Sequence, residues 1–144
     1  MKIVDLNVLM YATNAASHHH DVAKQWLDGV MASTTTVGLP TLVTVGYVRL
    51  TTNHRVLERP LTATQATAIV EGWLARPNVT VPGPTPRHDS VMADLLTITG
   101  AGGNLVSDAH LAALAVEHGA ELWSFDHDFA RFPGLKWRHP GSDR

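Results

Sequence analysis

Four aspartates, Asp5, Asp108, Asp126 and Asp128, stand where apolar runs end or a helical segment begins. Asp5 follows Ile3 and Val4, Asp126 follows the run from Leu122 to Phe125, and Asp108 opens an alanine-rich stretch. Carboxylates gathered in one pocket repel each other, and their pKa values rise unless a cation neutralises them. Oxygen ligands without partnering His or Cys suit a hard ion such as Mg²⁺ or Mn²⁺. Such an ion polarises a phosphoryl oxygen and activates a water for in-line attack, so the chemistry indicated is metal-assisted phosphodiester hydrolysis. Singly, each acid has a plainer reading: Asp108 as a helix cap, Asp128 as a turn former, Asp5 as the start of a loop. Their joint placement argues for a site, because open parallel sheets hold ligands beyond the carboxyl ends of their strands.

A second polar group, Arg49, His54, Arg55 and Arg59, is loosely basic in a chain whose formal charge is -2. It is either a solvated surface or a contact for phosphates. The whole molecule carries no basic field, so an anionic partner must be held by such a patch or by metal ions. His18, His19 and His20 are adjacent, which prevents them from sharing a helix face or one metal; they read as a solvated loop and cap. The absence of cysteine removes disulfide and thiolate chemistry and agrees with a cytoplasmic location. No apolar run approaches the roughly 18 residues of a membrane span, and neither secretion nor membrane insertion is expected.

Alternating strands and helices must position these groups. Lys2 to Val4 reads as a short central strand, and Val8, Leu9, Tyr11 and Ala12 suit a helix from Asn7 onward. Val22, Trp26, Leu27, Val30 and Met31 share one face of the next helix. Thr35 to Leu39 and Val79 to Val81 are further strands. Between them, Pro40 leads a segment whose Leu42, Val45 and Arg49 recur at helical steps, while its valines and threonines suit a strand equally well. Thr62 and Gln65 have the spacing of a capping box ahead of a stripe of Ala66, Ile69, Val70, Trp73 and Leu74. Arg87 to Thr99 resumes a helix with Val91, Leu95 and Ile98 inward and Gly100 closing it.

The run GAGG before Asn104 lacks the Lys-Ser or Lys-Thr of a phosphate-binding loop and reads as a flexible connection. Leu111, Leu114, Ala115 and His118 then mark a helix that Ser107 or Asp108 caps and Gly119 ends. Glu121 to Phe125 is a buried strand, Phe129 to Phe132 a helical turn, and Lys136 to Arg138 an edge strand. The expectation is one domain over residues 1–144, an α/β/α sandwich around a mainly parallel sheet.

The blocks VDLNVLMYA, GYVRLTTNHRV and NLVSDAHLAALAVEHGAELWSFDHDFARFPGL together resemble the PIN-domain ribonucleases, and specifically the VapC toxins of bacterial toxin–antitoxin pairs. The resemblance spans almost the whole chain. It implies a three-layer α/β/α fold, Mg²⁺- or Mn²⁺-dependent endoribonuclease activity, a homodimeric toxin and a cognate VapB-type antitoxin that blocks the site. It also implies that Asp5, Asp108 and Asp126 bind the metal, with Asp128 as a frequent fourth catalytic acid. Asn7 and Ser124 then orient carboxylates or a bound water. By the same analogy the substrate is a transfer or ribosomal RNA, and the segment after Pro40 is helical.

One position departs from the pattern. Many PIN domains carry a glutamate in the helix after the second strand; the aligned residue here is Gly46, and no acid lies between Asp28 and Glu58 to replace it. One metal position keeps three acids, while a second metal and the usual general base lack their carboxylate. Two other readings compete. A haloacid-dehalogenase-like phosphatase also begins strand-Asp, but it needs a second Asp where this chain has Asn7. A non-catalytic PIN-like module, binding RNA or protein without cutting, accommodates the missing glutamate.

Overall fold

Ile3, Val4, Val37 and Leu122 have no exposed surface, as expected of strands covered on both faces. The computed structural model describes residues 1–142. Over these, β1 (Lys2–Val4), β2 (Val37–Gly38), β3 (Val79–Thr80), β4 (Glu121–Trp123) and β5 (Lys136–Arg138) form an all-parallel sheet in the order β3-β2-β1-β4-β5. Lys2 pairs with Val37 on one side and Glu121 on the other, so β1 is central. The chain runs outward from β1 through β2 and β3, then resumes on the other side with β4 and β5. Strand order therefore reverses between β1 and β4, and the carboxyl ends of these two strands open the crevice where sheets of this kind hold ligands.

Six helices complete the three-layer α/β/α arrangement: α1 (Leu6–Thr13), α2 (His20–Met31), α3 (Thr41–Thr51), α4 (Ala63–Leu74), α5 (His88–Thr99) and α6 (Val106–Glu117). None of them is long and apolar enough to cross a membrane. The α6 helix buries Ala109, Leu111, Ala112, Ala113, Leu114 and Ala115; its small alanines allow close packing on several sides. The segment after Pro40 is helical, with Pro40 itself at the N-cap. Its wholly buried Tyr47 packs edge-on against Trp73 of α4 at 5.0 Å and donates its hydroxyl to Thr13 Oγ1 at 3.0 Å. At the α5–α6 interface the fully buried Glu117 carboxylate accepts from the Thr85 amide at 2.6 Å and meets His88 Nδ1 at 2.7 Å.

Several local expectations need correction. The strands are shorter than the apolar runs that mark them: β2 is Val37–Gly38, β3 is Val79–Thr80 and β4 stops at Trp123. Leu42 and Val45 lie on the outer face of α3, 43% and 59% exposed, and α3 packs instead through Val43 and Tyr47. Leu74 and Ile98, in the last turns of α4 and α5, are also exposed where the packing stripe runs out. Neither Ser107 nor Asp108 caps α6. A 3-10 turn, Gly103–Leu105, runs directly into the helix, so the GAGG connection is partly ordered and Asp108 lies within the first helical turn. The Thr62–Gln65 capping box forms with both arms, and Gly100 and Gly119 take the left-handed backbone that stops α5 and α6.

Candidate active site

Asp5 ends β1 and caps α1. Its amide donates to the Trp123 carbonyl at 3.0 Å, extending the β1–β4 ladder. Its carboxylate accepts from the Leu6 amide at 2.7 Å and from the Ser124 hydroxyl at 2.7 Å. Ser124 has no exposed surface, and its Oγ also accepts from Asn7 Nδ2 and from the Asp126 amide, each at 3.0 Å. The Asn7 Oδ1 accepts from the Phe125 amide at 3.2 Å. One fully bonded hydroxyl thus fixes the tips of β1 and β4 to each other, and the two polar residues flagged beside the acids lie between them.

Asp126 Oδ1 accepts from the Asp128 amide at 2.9 Å and so caps the 3-10 turn His127–Arg131. Asp128 is exposed; Arg131 donates from Nε to its carbonyl at 3.1 Å and holds Nη2 3.4 Å from its carboxylate. Asp108 comes from the other direction, on the first turn of α6, and shares with Asp5 a cavity of about 200 Å³ that Leu6, Gly46, Arg49 and Ser107 also line. The four acids feel one another. Burial raises Asp5 against the opposing hydrogen bonds from Ser124 and Leu6, and the Asp126 charge adds to the rise. Asp108 is pushed up to about 6, first by burial and then by the charges of Asp5, Asp126 and Asp128, with Arg131 opposing.

The donor set is all oxygen and carries an excess of negative charge that a divalent cation would relieve. Among the described residues no three acid or imidazole groups already surround one point at coordination distance. An all-oxygen donor set suits a hydrated Mg²⁺ or Mn²⁺, which takes few direct carboxylates and keeps several waters. Size does not pick out this site: a larger concavity, about 680 Å³, lies against Lys2, Gln25, Trp26 and Gly29 and is lined by no acid.

The PIN domain family profile matches residues 2–135. The chain belongs to the PIN-domain family. It is 47% identical over 140 residues to Ribonuclease VapC37 of Mycobacterium tuberculosis, covering 97% of each chain, which puts it among the VapC ribonucleases. The same fold recurs in VapBC2 of Rickettsia felis, solved bound to a promoter DNA fragment, at TM-score 0.69 and 18% identity over 96% of this chain and 97% of that one. It recurs also in Mycobacterium tuberculosis VapC20, a sarcin-ricin loop cleaving toxin, at TM-score 0.68 and 20% identity over 94% and 98%.

In this PIN domain Asp5 and Asp126 are tied together at the sheet's reversal point, Asp108 shares a cavity with Asp5, and Gly46 is buried in the wall of that cavity. Gly46, where the resemblance leads one to expect a glutamate, is therefore at the cavity and offers no carboxylate. A Cβ at Gly46 would stand 2.9 Å from Leu6 Cδ2, so Leu6 occupies the room a larger residue needs, and exchange of this glycine is not a simple gain in helix propensity. The basic cluster divides. Arg49 lines the cavity, whereas His54, Arg55 and Arg59 lie exposed on the loop between α3 and α4. None of the ion pairs among the described residues involves these arginines. Arg131, next to the acids, escaped the sequence reading; its signal was the three-residue spacing from Asp128 on one helical turn.

Proposed function

We propose that this PIN domain is a VapC-type endoribonuclease, the toxin of a type II toxin–antitoxin pair, which cuts RNA phosphodiesters with Mg²⁺ or Mn²⁺. The observation that carries this reading is that Ser124 holds Asp5 and Asp126 together at the strand-order reversal, while Asp108, lifted to about 6 first by burial and then by the charges of Asp5, Asp126 and Asp128, shares a cavity with Asp5. The carboxylates of Asp5, Asp108 and Asp126 would hold the cation, which when bound polarises the phosphoryl oxygen and supplies an activated water. Asn7 and Ser124 keep the Asp5 carboxylate aimed at the crevice. Asp128 anchors Arg131, whose guanidinium offers charge to the scissile phosphate, and Arg49 does the same from the opposite wall. Arg55 and Arg59 meet phosphates farther along the strand. With Gly46 in place of an acid, the attacking water gives its proton to one of the three aspartates or to solvent, and turnover is slow.

A phosphatase mechanism is poorly served, because both ends of the Asn7 side chain are engaged, with Ser124 and Phe125. The proposal includes a VapB-type antitoxin, a homodimer, a cytoplasmic setting and a structured transfer or ribosomal RNA as substrate. Brief induction in a bacterial host followed by mapping of RNA 5′ ends tests it. A small set of new ends, absent on induction of Asp5→Asn, is expected. Unchanged ends would instead favour a module that binds RNA or protein without cutting.

A further inference from the structure

Beside the acids lies a second cluster, a set of rings wrapped round Phe125. His127 stands 5.2 Å from Trp137 and 5.3 Å from His139 between ring centroids, and His139 stands 4.8 Å from Phe125. His19 also lies 4.9 Å from the Phe125 ring. Phe125 is buried beneath, whereas His127 is exposed and Trp137 and His139 are half-buried. The rings are fixed in place. Trp137 Nε1 donates to the Ser124 carbonyl at 3.0 Å, and the Gly141 amide donates to His139 Nδ1 at 2.9 Å. The latter bond requires an unprotonated Nδ1, hence a neutral imidazole. Burial, then the neighbouring His127 and His19, holds His139 below the usual imidazole range.

The rings of this shelf and two of the acids, Asp5 and Asp126, are tied to the end of β4. His127 is the chain neighbour of both Asp126 and Asp128, one Cα step of about 3.8 Å from each. Ser124 joins the two clusters, since its hydroxyl holds Asp5 and its carbonyl holds Trp137. Arg131 adds a cation on the same turn as His127.

We propose that His127, Trp137 and His139 form a stacking subsite for an unpaired nucleobase adjoining the phosphodiester that the acids engage. The inference rests on the RNA-cutting reading and adds to it the residues that hold a base beside the cleaved bond. Bases within a duplex keep their faces covered, whereas splayed bases stack on aromatic rings, so the shelf selects single-stranded or looped RNA. RNA is favoured over a peptide as occupant because Ser124 ties the rings to the same strand end that holds Asp5 and Asp126.

The test measures binding by fluorescence anisotropy in the Asp5→Asn background, using an eight-nucleotide adenine RNA, an abasic oligomer of the same length and a duplex of the same length. The adenine strand binds more tightly than either of the others. His127→Ala weakens adenine binding roughly 5- to 100-fold, the range for loss of one base-stacking ring, and leaves the abasic oligomer unaffected. His127→Phe restores most of the loss. Equal affinity for the adenine and abasic strands overturns the proposal, as does His127→Ala binding like the parent or His127→Phe binding as poorly as His127→Ala. A weakened antitoxin complex with RNA binding unchanged assigns the shelf to a protein and overturns it as well. Cleavage by the unmodified protein is scored separately: cutting without base-dependent binding defeats only the subsite, and base-dependent binding without cutting defeats only the nuclease reading.

Discussion

Ser124 is a small residue that carries several contacts. Its hydroxyl donates to Asp5 and accepts from Asn7 and the Asp126 amide, and the residue itself has no exposed surface. Ser124→Ala leaves a buried amide and a side-chain donor without an acceptor, a cost of about 1–3 kcal/mol. Urea unfolding should show that loss, and calorimetry should show weaker Mn²⁺ binding because Asp5 loses a hydrogen bond that favours its charged form. Asp108 behaves in the opposite way. Its folded pKa is raised from 3.8 to about 6, so its contribution to stability is fully present below 3.8 and is lost as pH rises through about 6. Asp108→Asn cannot ionise and escapes that loss. Without added metal at pH 7.5 the variant should be more stable than the parent by about 1 kcal/mol, a figure discounted for solvent screening at a half-exposed group. With Mg²⁺ present the parent should gain more in Tm than the variant. A variant less stable than the parent in both conditions would contradict this account of Asp108.

Among the elements, α1 and α3 meet where Leu6 faces Gly46. A side chain added at Gly46 must displace Leu6, whose Cδ2 stands 2.9 Å from the new Cβ position. Gly46→Glu alone should therefore forfeit much of the roughly 1 kcal/mol that replacing a helical glycine brings. Combined with Leu6→Ala, which vacates the space, it should place a fourth carboxylate in the cavity and tighten Mn²⁺ binding by calorimetry. Failure of the double variant to gain metal affinity would mean that another group already serves in that position. The elements also show what a sequence conveys. Asp5 was legible because the abrupt end of an apolar run marks the tip of β1, whereas Asp126 ends its apolar run three residues beyond β4, as the cap of the next turn; α4 was legible because Thr62 and Gln65 carry their own start signal. The packing face of α3 was not, since Leu42, Val43, Val45 and Tyr47 are all apolar and only tertiary contact selects among them. The uncapped start of α6 was hidden because the 3-10 turn before it substitutes for a cap. The ring shelf joins residues more than a hundred positions apart, so His19 read as solvated although it packs on Tyr11 and Phe125.

At the scale of the whole molecule, a net charge of -2 leaves RNA binding to local groups. Arg55→Ala with Arg59→Ala, both on the exposed α3–α4 loop, should lower RNA affinity and flatten the slope of log affinity against log salt by about one to two. An unchanged slope would return these residues to the solvated surface. Fold class was legible at this scale from the alternation of strands and helices, while the strand order that brings Asp5 beside Asp126 follows from pairing between distant segments.

In the proposed reaction Asp5, Asp108 and Asp126 cut RNA through a divalent cation. It is tested most directly by incubating purified protein, free of antitoxin, with end-labelled structured RNA in EDTA, in Mg²⁺ and in Mn²⁺, beside Asp126→Asn. Cleavage should be absent in EDTA, return with either metal at millimolar concentration and fall by orders of magnitude in the variant. Cleavage that persists in EDTA, or that Asp126→Asn retains in full, would contradict the account.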